Sequence, residues 1–110
     1  MRTITFYRTA LGDSPVQQYL DSLTDKQAQN VTGVLKLVQE LDRVPVSFLK
    51  KLEGTEYIWE VRASLGGDTF RLLGFFHEGS LVVLTNGFTK KQQKTPATEI
   101  EVALARGVPW

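Results

Sequence analysis

Apolar and polar residues alternate with period two from Arg2 to Arg8 (RTITFYR). They then recur at spacings of three and four, and return to strand-like runs from Tyr57 onward. The first stretch, rich in Thr, Ile, Phe and Tyr, predicts a strand over 2–8. GDSPVQQYLDSL follows as a helix start, with Ser14 as cap, Pro15 at the first helical position and Gln17 placed for a capping box. TDKQ is a second start, with Thr24 as cap and Gln27 three residues on. From there Ala28, Val31, Val34, Leu35, Val38 and Leu41 mark one face of an amphipathic helix over 25–41. Gly33 interrupts it at about 1 kcal/mol relative to alanine, which close packing would explain.

Pro45 and Gly54 make DRVPVSFLKKLEGTE a connection. Three strands are predicted at 57–64, 69–76 and 80–86, joined by the short glycine-containing turns LGGD and HEGS. Trp59, Phe70, Phe75 and Phe76 are expected in the core, and His77 in a surface turn. Thr95 and Pro96 then predict a cap and first helical position. Ile100, Ala103 and Leu104 share a face of that helix, and Gly107 closes it. The order β-α-α-β-β-β-α predicts one α+β domain over 1–110, an antiparallel sheet with helices packed on one face.

Composition excludes several chemistries. The chain has no cysteine and one histidine, His77, so neither a disulfide framework nor a thiolate or histidine metal site is expected. No run reaches the roughly 18 apolar residues of a membrane span, and the arginines of the N-terminus do not suit a signal peptide. A reducing cytoplasm is the expected compartment. No metal, dinucleotide or nucleotide motif is present, so no cofactor is expected. The net charge of +1 conceals a bias. Lys50, Lys51, Arg62, Arg71, Lys90, Lys91 and Lys94 fall between residues 50 and 94, against five acids.

Strand register decides where those bases go. With Gly66–Gly67 as a two-residue turn, Ser64 pairs with Thr69 and Arg62 lies opposite Arg71. Like charges in that position repel, so an anion between them is expected, and a guanidinium fork suits phosphate. With Glu78–Gly79 as the next turn, Arg71 would oppose Asn86. Alternation adds Glu60, Phe88 and Lys90 to the same face, with Lys50, Lys51, Lys91 and Lys94 as a rim. Arginines with an interposed aromatic ring meet the needs of single-stranded RNA recognition. The plainer alternative is that Arg62 pairs with Glu60 or Glu53 and the lysines are a solvated loop guarding a sheet edge.

The segments KLEGTEYIWEVR (51–62), FRLLGFF (70–76) and LTNGFTKKQQKTPATEIEVALAR (84–106) resemble the phage-derived HigB-like branch of the RelE/ParE toxin superfamily. The resemblance covers nearly the whole chain and implies a RelE-like fold. It also implies the toxin of a type II toxin–antitoxin pair, a metal-independent endoribonuclease that cuts mRNA on the translating ribosome and inhibits translation. The implied partners are a helix-turn-helix antitoxin, the ribosome and mRNA, with DNA reached only through the antitoxin and no membrane involved.

Arg71 matches the family's phosphate-binding arginine, Arg62 a second basic position, and Lys90 or Lys91 the basic residue after the last strand. Ile58 and Glu60 stand where better-known members carry lysines, and the family's C-terminal tyrosine has no counterpart. Two alternatives therefore stay open: a non-catalytic ParE-like inhibitor of DNA gyrase, and a non-toxic phage accessory protein of the same fold. For cleavage, Glu60 is the candidate base, Arg62 and Arg71 supply charge, and the acid stays open among Lys90, Lys91 and a ribosomal group. Lys50, Lys51, Asn86, Phe88, Lys91 and Lys94 are the candidate RNA contacts.

Overall fold

Helices and strands form largely where the periodicity places them. The computed structural model describes residues 1–90 and 95–107. In chain order these give β1 (Thr3–Phe6), α1 (Pro15–Asp21), α2 (Asp25–Glu40), β2 (Leu49–Lys51), β3 (Trp59–Leu65), β4 (Asp68–His77), β5 (Leu81–Lys90) and α3 (Ala97–Gly107). The strands make one sheet in the order β1-β5-β4-β3-β2. Its pairs are antiparallel except β1 with β5, which is parallel. The fold is the expected α+β class, compatible with a RelE-like architecture, with the connection before β3 contributing an additional edge strand, β2.

Local chemistry explains the helix starts. The backbone N–H of Gln27 donates to Thr24 Oγ1 at 3.2 Å, and that of Thr24 donates to Gln27 Oε1 at 3.0 Å, a complete capping box. Ser14 caps α1 through the Gln17 N–H, but the Gln17 side chain turns away to donate to Asp21, so its box stays half-formed. Arg2 reaches from the start of β1 to the carbonyls of Val38 and Asp42, satisfying acceptors at the end of α2.

The helices occupy both faces of the sheet, which corrects the one-face expectation. Helices α1 and α2 bury Val16, Leu20, Val31, Val34, Leu35 and Val38 against Val61, Ala63, Phe70, Leu72, Val82 and Leu84. Helix α3 packs Ala103, Ile100 and Leu104 on the opposite face, against Ile58 and Leu73. The physical reason is visible in β4: FRLLGFF is almost continuously apolar, as a strand covered on both sides must be. Each fully buried aliphatic side chain contributes about 1.5–3 kcal/mol. Trp59 and Phe76 meet edge to face at 5.2 Å on the α2 side, and Tyr57 and Phe75 at 6.5 Å on the other.

The Gly66–Gly67 turn holds as read, with both residues at positive φ and Arg62 opposite Arg71. The β4–β5 register differs from the expected one. Three residues, Glu78 to Ser80, link His77 to its partner Leu81, and a bulge between Leu73 and Gly74 leaves Thr85 without a register partner. Arg71 therefore faces Phe88, and Asn86 faces Leu73. Gly74 lies at this bulge because a Cβ there would sit 2.3 Å from the Val83 carbonyl oxygen.

Gly33 is not explained by close packing: it is exposed, and a Cβ would meet nothing within 4 Å. Gly33→Ala should therefore stabilise the fold by about 1 kcal/mol, raising Tm by about 4–8 °C. Gly74→Ala should destabilise it by about 1–3 kcal/mol or more, because backbone must move. Thermal denaturation of the two variants beside the parent checks both signs.

Candidate functional site

The face covered by α3 is only partly filled. Beyond the apolar contacts of α3, the sheet opens into a cleft of about 280 Å³ lined by Lys50, Lys51, Arg62, Arg71, Lys90 and Thr95, with Glu53 at its wall. Leu52 and Ile100 supply an apolar flank. Strand geometry accounts for the convergence. Lys50 pairs with Glu60 across β2 and β3, Arg62 with Arg71 across β3 and β4, and Thr69 with Lys90 across β4 and β5. Residues two apart on each strand share a face.

The expected anion between the facing arginines is present, and the chain supplies it. Glu60 is fully buried. Its Oε1 accepts from Arg62 Nε at 2.8 Å and from Arg71 Nη1, while its Oε2 accepts from the Thr95 hydroxyl at 2.6 Å. Burial pushes the Glu60 carboxyl up, but the Thr95 hydroxyl, Arg62 and Arg71 together outweigh it and hold the group below the usual carboxylate range. The alternative of an Arg62–Glu60 pair thus holds, and it leaves both guanidinium groups on the cleft lining. The Arg62 side chain remains 29% exposed and Arg71 11%. Arg71 Nε is buried without a hydrogen-bond partner among the described residues, a penalty of about 1–3 kcal/mol.

Among the described residues, Lys90 is the second buried ionisable group, at 7% exposure. Burial strips water from its ammonium, Arg71 and Arg62 repel it, and the attraction of Glu60 pulls the other way without outweighing them. The result is a pKa below the ordinary lysine value. A lysine shifted this way is a stronger acid than one in water.

Other expected site residues are placed differently. Asn86 is buried beneath α3, where its Nδ2 donates to the Glu99 carbonyl at 3.1 Å and to Glu99 Oε1 at 3.0 Å. It fixes the helix and does not reach the cleft, because the register brings it beside Leu73 and not Arg71. The Thr85 hydroxyl lies 2.6 Å from Asn86 Oδ1 and 3.1 Å from the Leu73 carbonyl, donating to one at a time. Phe88 is half-buried and packs against the α3 cluster, not on the cleft lining, so its ring is used chiefly as support. Lys91 and Lys94 lie outside the described residues.

Thr95 does not serve as the expected cap of α3. The Pro96 carbonyl takes that place, accepting from the N–H groups of Glu99 and Ile100, while the Thr95 hydroxyl goes to Glu60. Nothing in the pattern KTP distinguishes a cap from a ligand of a carboxylate 35 positions earlier. The far end of α3 is held by Arg106, whose Nη1 donates to the Thr85 carbonyl at 2.7 Å and whose guanidinium lies 5.5 Å from the Tyr7 ring centre.

Among the described residues, no group of three His, Cys, Asp or Glu side chains could hold a metal ion. The guanidinium and ammonium groups of the cleft offer positive charge to an anion. Among the described residues, no helix is long and apolar enough to cross a membrane.

Comparison with known proteins agrees with this architecture. Residues 18–107 match the family described as phage derived protein Gp49-like (DUF891). The protein named "Probable endoribonuclease HigB1" from two strains of Mycobacterium tuberculosis is 35% identical over 111 aligned positions, which take in 100% of this chain and 86% of the relative. The chain belongs to the Gp49-like phage-derived family, within the HigB-like branch of the RelE/ParE toxin superfamily.

Proposed function

We propose that this protein is the toxin of a type II toxin–antitoxin pair and cleaves mRNA on the translating ribosome without a metal ion. The observation that carries the reading is the cleft itself. Two arginines are held side by side, with a buried acid-shifted lysine and two rim lysines around them. The similarity to a relative named as an endoribonuclease supports the reaction class. A helix-turn-helix antitoxin would be the neutralising partner and would make the DNA contacts. The site of action would be the cytoplasm, where ribosomes and mRNA are.

The chemistry is an in-line attack by a ribose 2′-oxygen on the adjacent phosphorus. The O2′–P bond forms, the P–O5′ bond breaks, and the products are a 2′,3′-cyclic phosphate and a 5′-hydroxyl. Negative charge grows on the non-bridging oxygens, and Arg62 and Arg71 meet it from positions fixed in advance. Lys90 gives its proton to the departing 5′-oxygen, a task its lowered pKa suits. Glu60 is removed from the base role first assigned to it, since both its oxygens are occupied and it is fully buried. Glu53, the exposed carboxylate on the cleft wall, takes the 2′-hydroxyl proton. Lys50 and Lys51 hold the flanking phosphates as mobile charges. With so spare an acid–base set, positioning by the ribosome supplies much of the rate, worth several kcal/mol. Free RNA is accordingly a poor substrate.

Controlled expression should arrest growth and create new 5′ ends within translated messages by primer extension. Arg71→Ala should lower cleavage by about 100-fold or more. Growth arrest with DNA damage and no new ends would favour gyrase inhibition. Soluble protein without arrest would favour an accessory role.

Lys90→Arg keeps the charge but cannot release a proton at useful pH. Its single-turnover cleavage on programmed ribosomes should fall about 10²–10⁴-fold. In the parent, the rate should fall as pH rises through the lowered lysine pKa, and this alkaline limb should be missing in Lys90→Arg. An unchanged alkaline limb in the variant excludes Lys90 as the acid.

A further inference from the structure

We infer that Thr95 is a positioning residue: through Glu60 it fixes the spacing of Arg62 and Arg71, and so makes the anion-binding geometry of the cleft depend on how α3 is seated. This rests on the proposed reading for its consequence in cleavage, while the geometric claim stands on contacts within the protein.

Two facing guanidinium groups on neighbouring strands repel, and only a shared acceptor keeps them parallel. Glu60 Oε1 is that acceptor for both. One satisfied oxygen does not fix a carboxylate, because the group can still rotate about its terminal bond and slide off one arginine. It is the Thr95 hydroxyl, at 2.6 Å from Oε2, that closes the third side. A buried carboxylate also needs its charge matched by donors, or it takes up a proton. The Thr95 contact spans 35 positions of sequence and joins the approach to α3 to the start of β3. Thr95 is itself part of the cleft lining, so seating the helix and completing the site are one event.

Cations from four strands gather near Glu60, with Glu53 the acid on the same cleft wall. Lys50 lies opposite it on β2, Arg62 beside it on β3, Arg71 on β4 and Lys90 on β5. Arg62 and Arg71 favour the ionised form against burial, and Thr95 adds the hydroxyl donor. Removing that donor shifts the balance toward a protonated Glu60. The arginines then lose the charge that holds them together, and Lys90 loses the attraction of Glu60.

The test compares Thr95→Val, which is nearly isosteric and has no hydroxyl, with Thr95→Ser, which restores it. The Glu60 carboxyl is followed by carbon-detected NMR titration, and inorganic sulfate binding by calorimetry. Thr95→Val should raise the Glu60 midpoint by about one pH unit, the scale of one lost hydrogen bond to a charged group. It should weaken sulfate binding about tenfold, and Thr95→Ser should match the parent in both. On programmed ribosomes, Thr95→Val should lose most rate at the acid end of the profile, where protonation of Glu60 adds to the limb set by Glu53 as base. An unmoved midpoint with unchanged sulfate affinity overturns the inference, as does a rate loss equal at every pH. If the parent does not cleave mRNA, the proposed function fails, and the titration and sulfate data still decide the role of Thr95.

Discussion

One buried carboxylate organises this molecule. Glu60 has no exposed surface, and it binds a guanidinium from its own strand, a guanidinium from the next strand and a hydroxyl from the start of the last helix. Removing one partner of such a buried ion pair costs about 3–5 kcal/mol, since a desolvated charge is left uncompensated. The β3–β4 register, the side-by-side arginines and the seating of α3 therefore share one group. A one-residue slip of β4 would turn Arg71 to the α2 face and leave Glu60 with a missing partner and Arg71 in an apolar core. The ion pair thus supports the register that creates it.

Legibility in the sequence followed the range of the interaction. Short-range chemistry read well. The Thr24–Gln27 capping box, the Gly66–Gly67 turn and the resulting Arg62–Arg71 pairing each depend on a few adjacent residues. The β4–β5 hairpin shows what survives an error. The link is one residue longer than a two-residue turn, and the bulge at Thr85 adds a second shift. Each shift alone would send Phe88 and Lys90 to the opposite face. Together they restore the parity, so face membership was right while the partner of Arg71 was wrong by two positions. Strand β2 was unreadable because three residues give no period, and pairing with β3 makes it a strand.

The site was legible as a set of charges and not as a set of roles. Arg62, Arg71, Lys90, Lys50 and Lys51 do converge, because alternation within strands fixes faces. Asn86 and Phe88 share that face but sit toward α3, where the sheet is covered. Sequence alternation cannot tell which part of a face a helix will roof. Nor could it show that Thr95 spends its hydroxyl on Glu60, since that partner is distant and the local context suits a cap equally well.

The same network explains why the cleft carries strain that the fold must offset. Lys90 is desolvated beside two arginines, and Arg71 Nε is buried without a partner among the described residues. Neither arrangement favours the folded state. Linkage gives the sign. Glu60 titrates lower in the folded chain, so its contribution is present above the ordinary carboxylate pKa and is lost as pH falls through the folded value. Lys90 also titrates lower in the folded chain, so the unfolded chain binds more protons between the two lysine values, and stability rises with pH there. Both groups therefore favour the fold on the alkaline side. Replacing Lys90 by an apolar residue would relieve the repulsion and remove the proposed proton donor at once. If Lys90 is the acid of the proposed cleavage, that stability gain comes at the expense of function, and the surrounding β-sheet and α3 contacts supply the margin that lets the lysine stay.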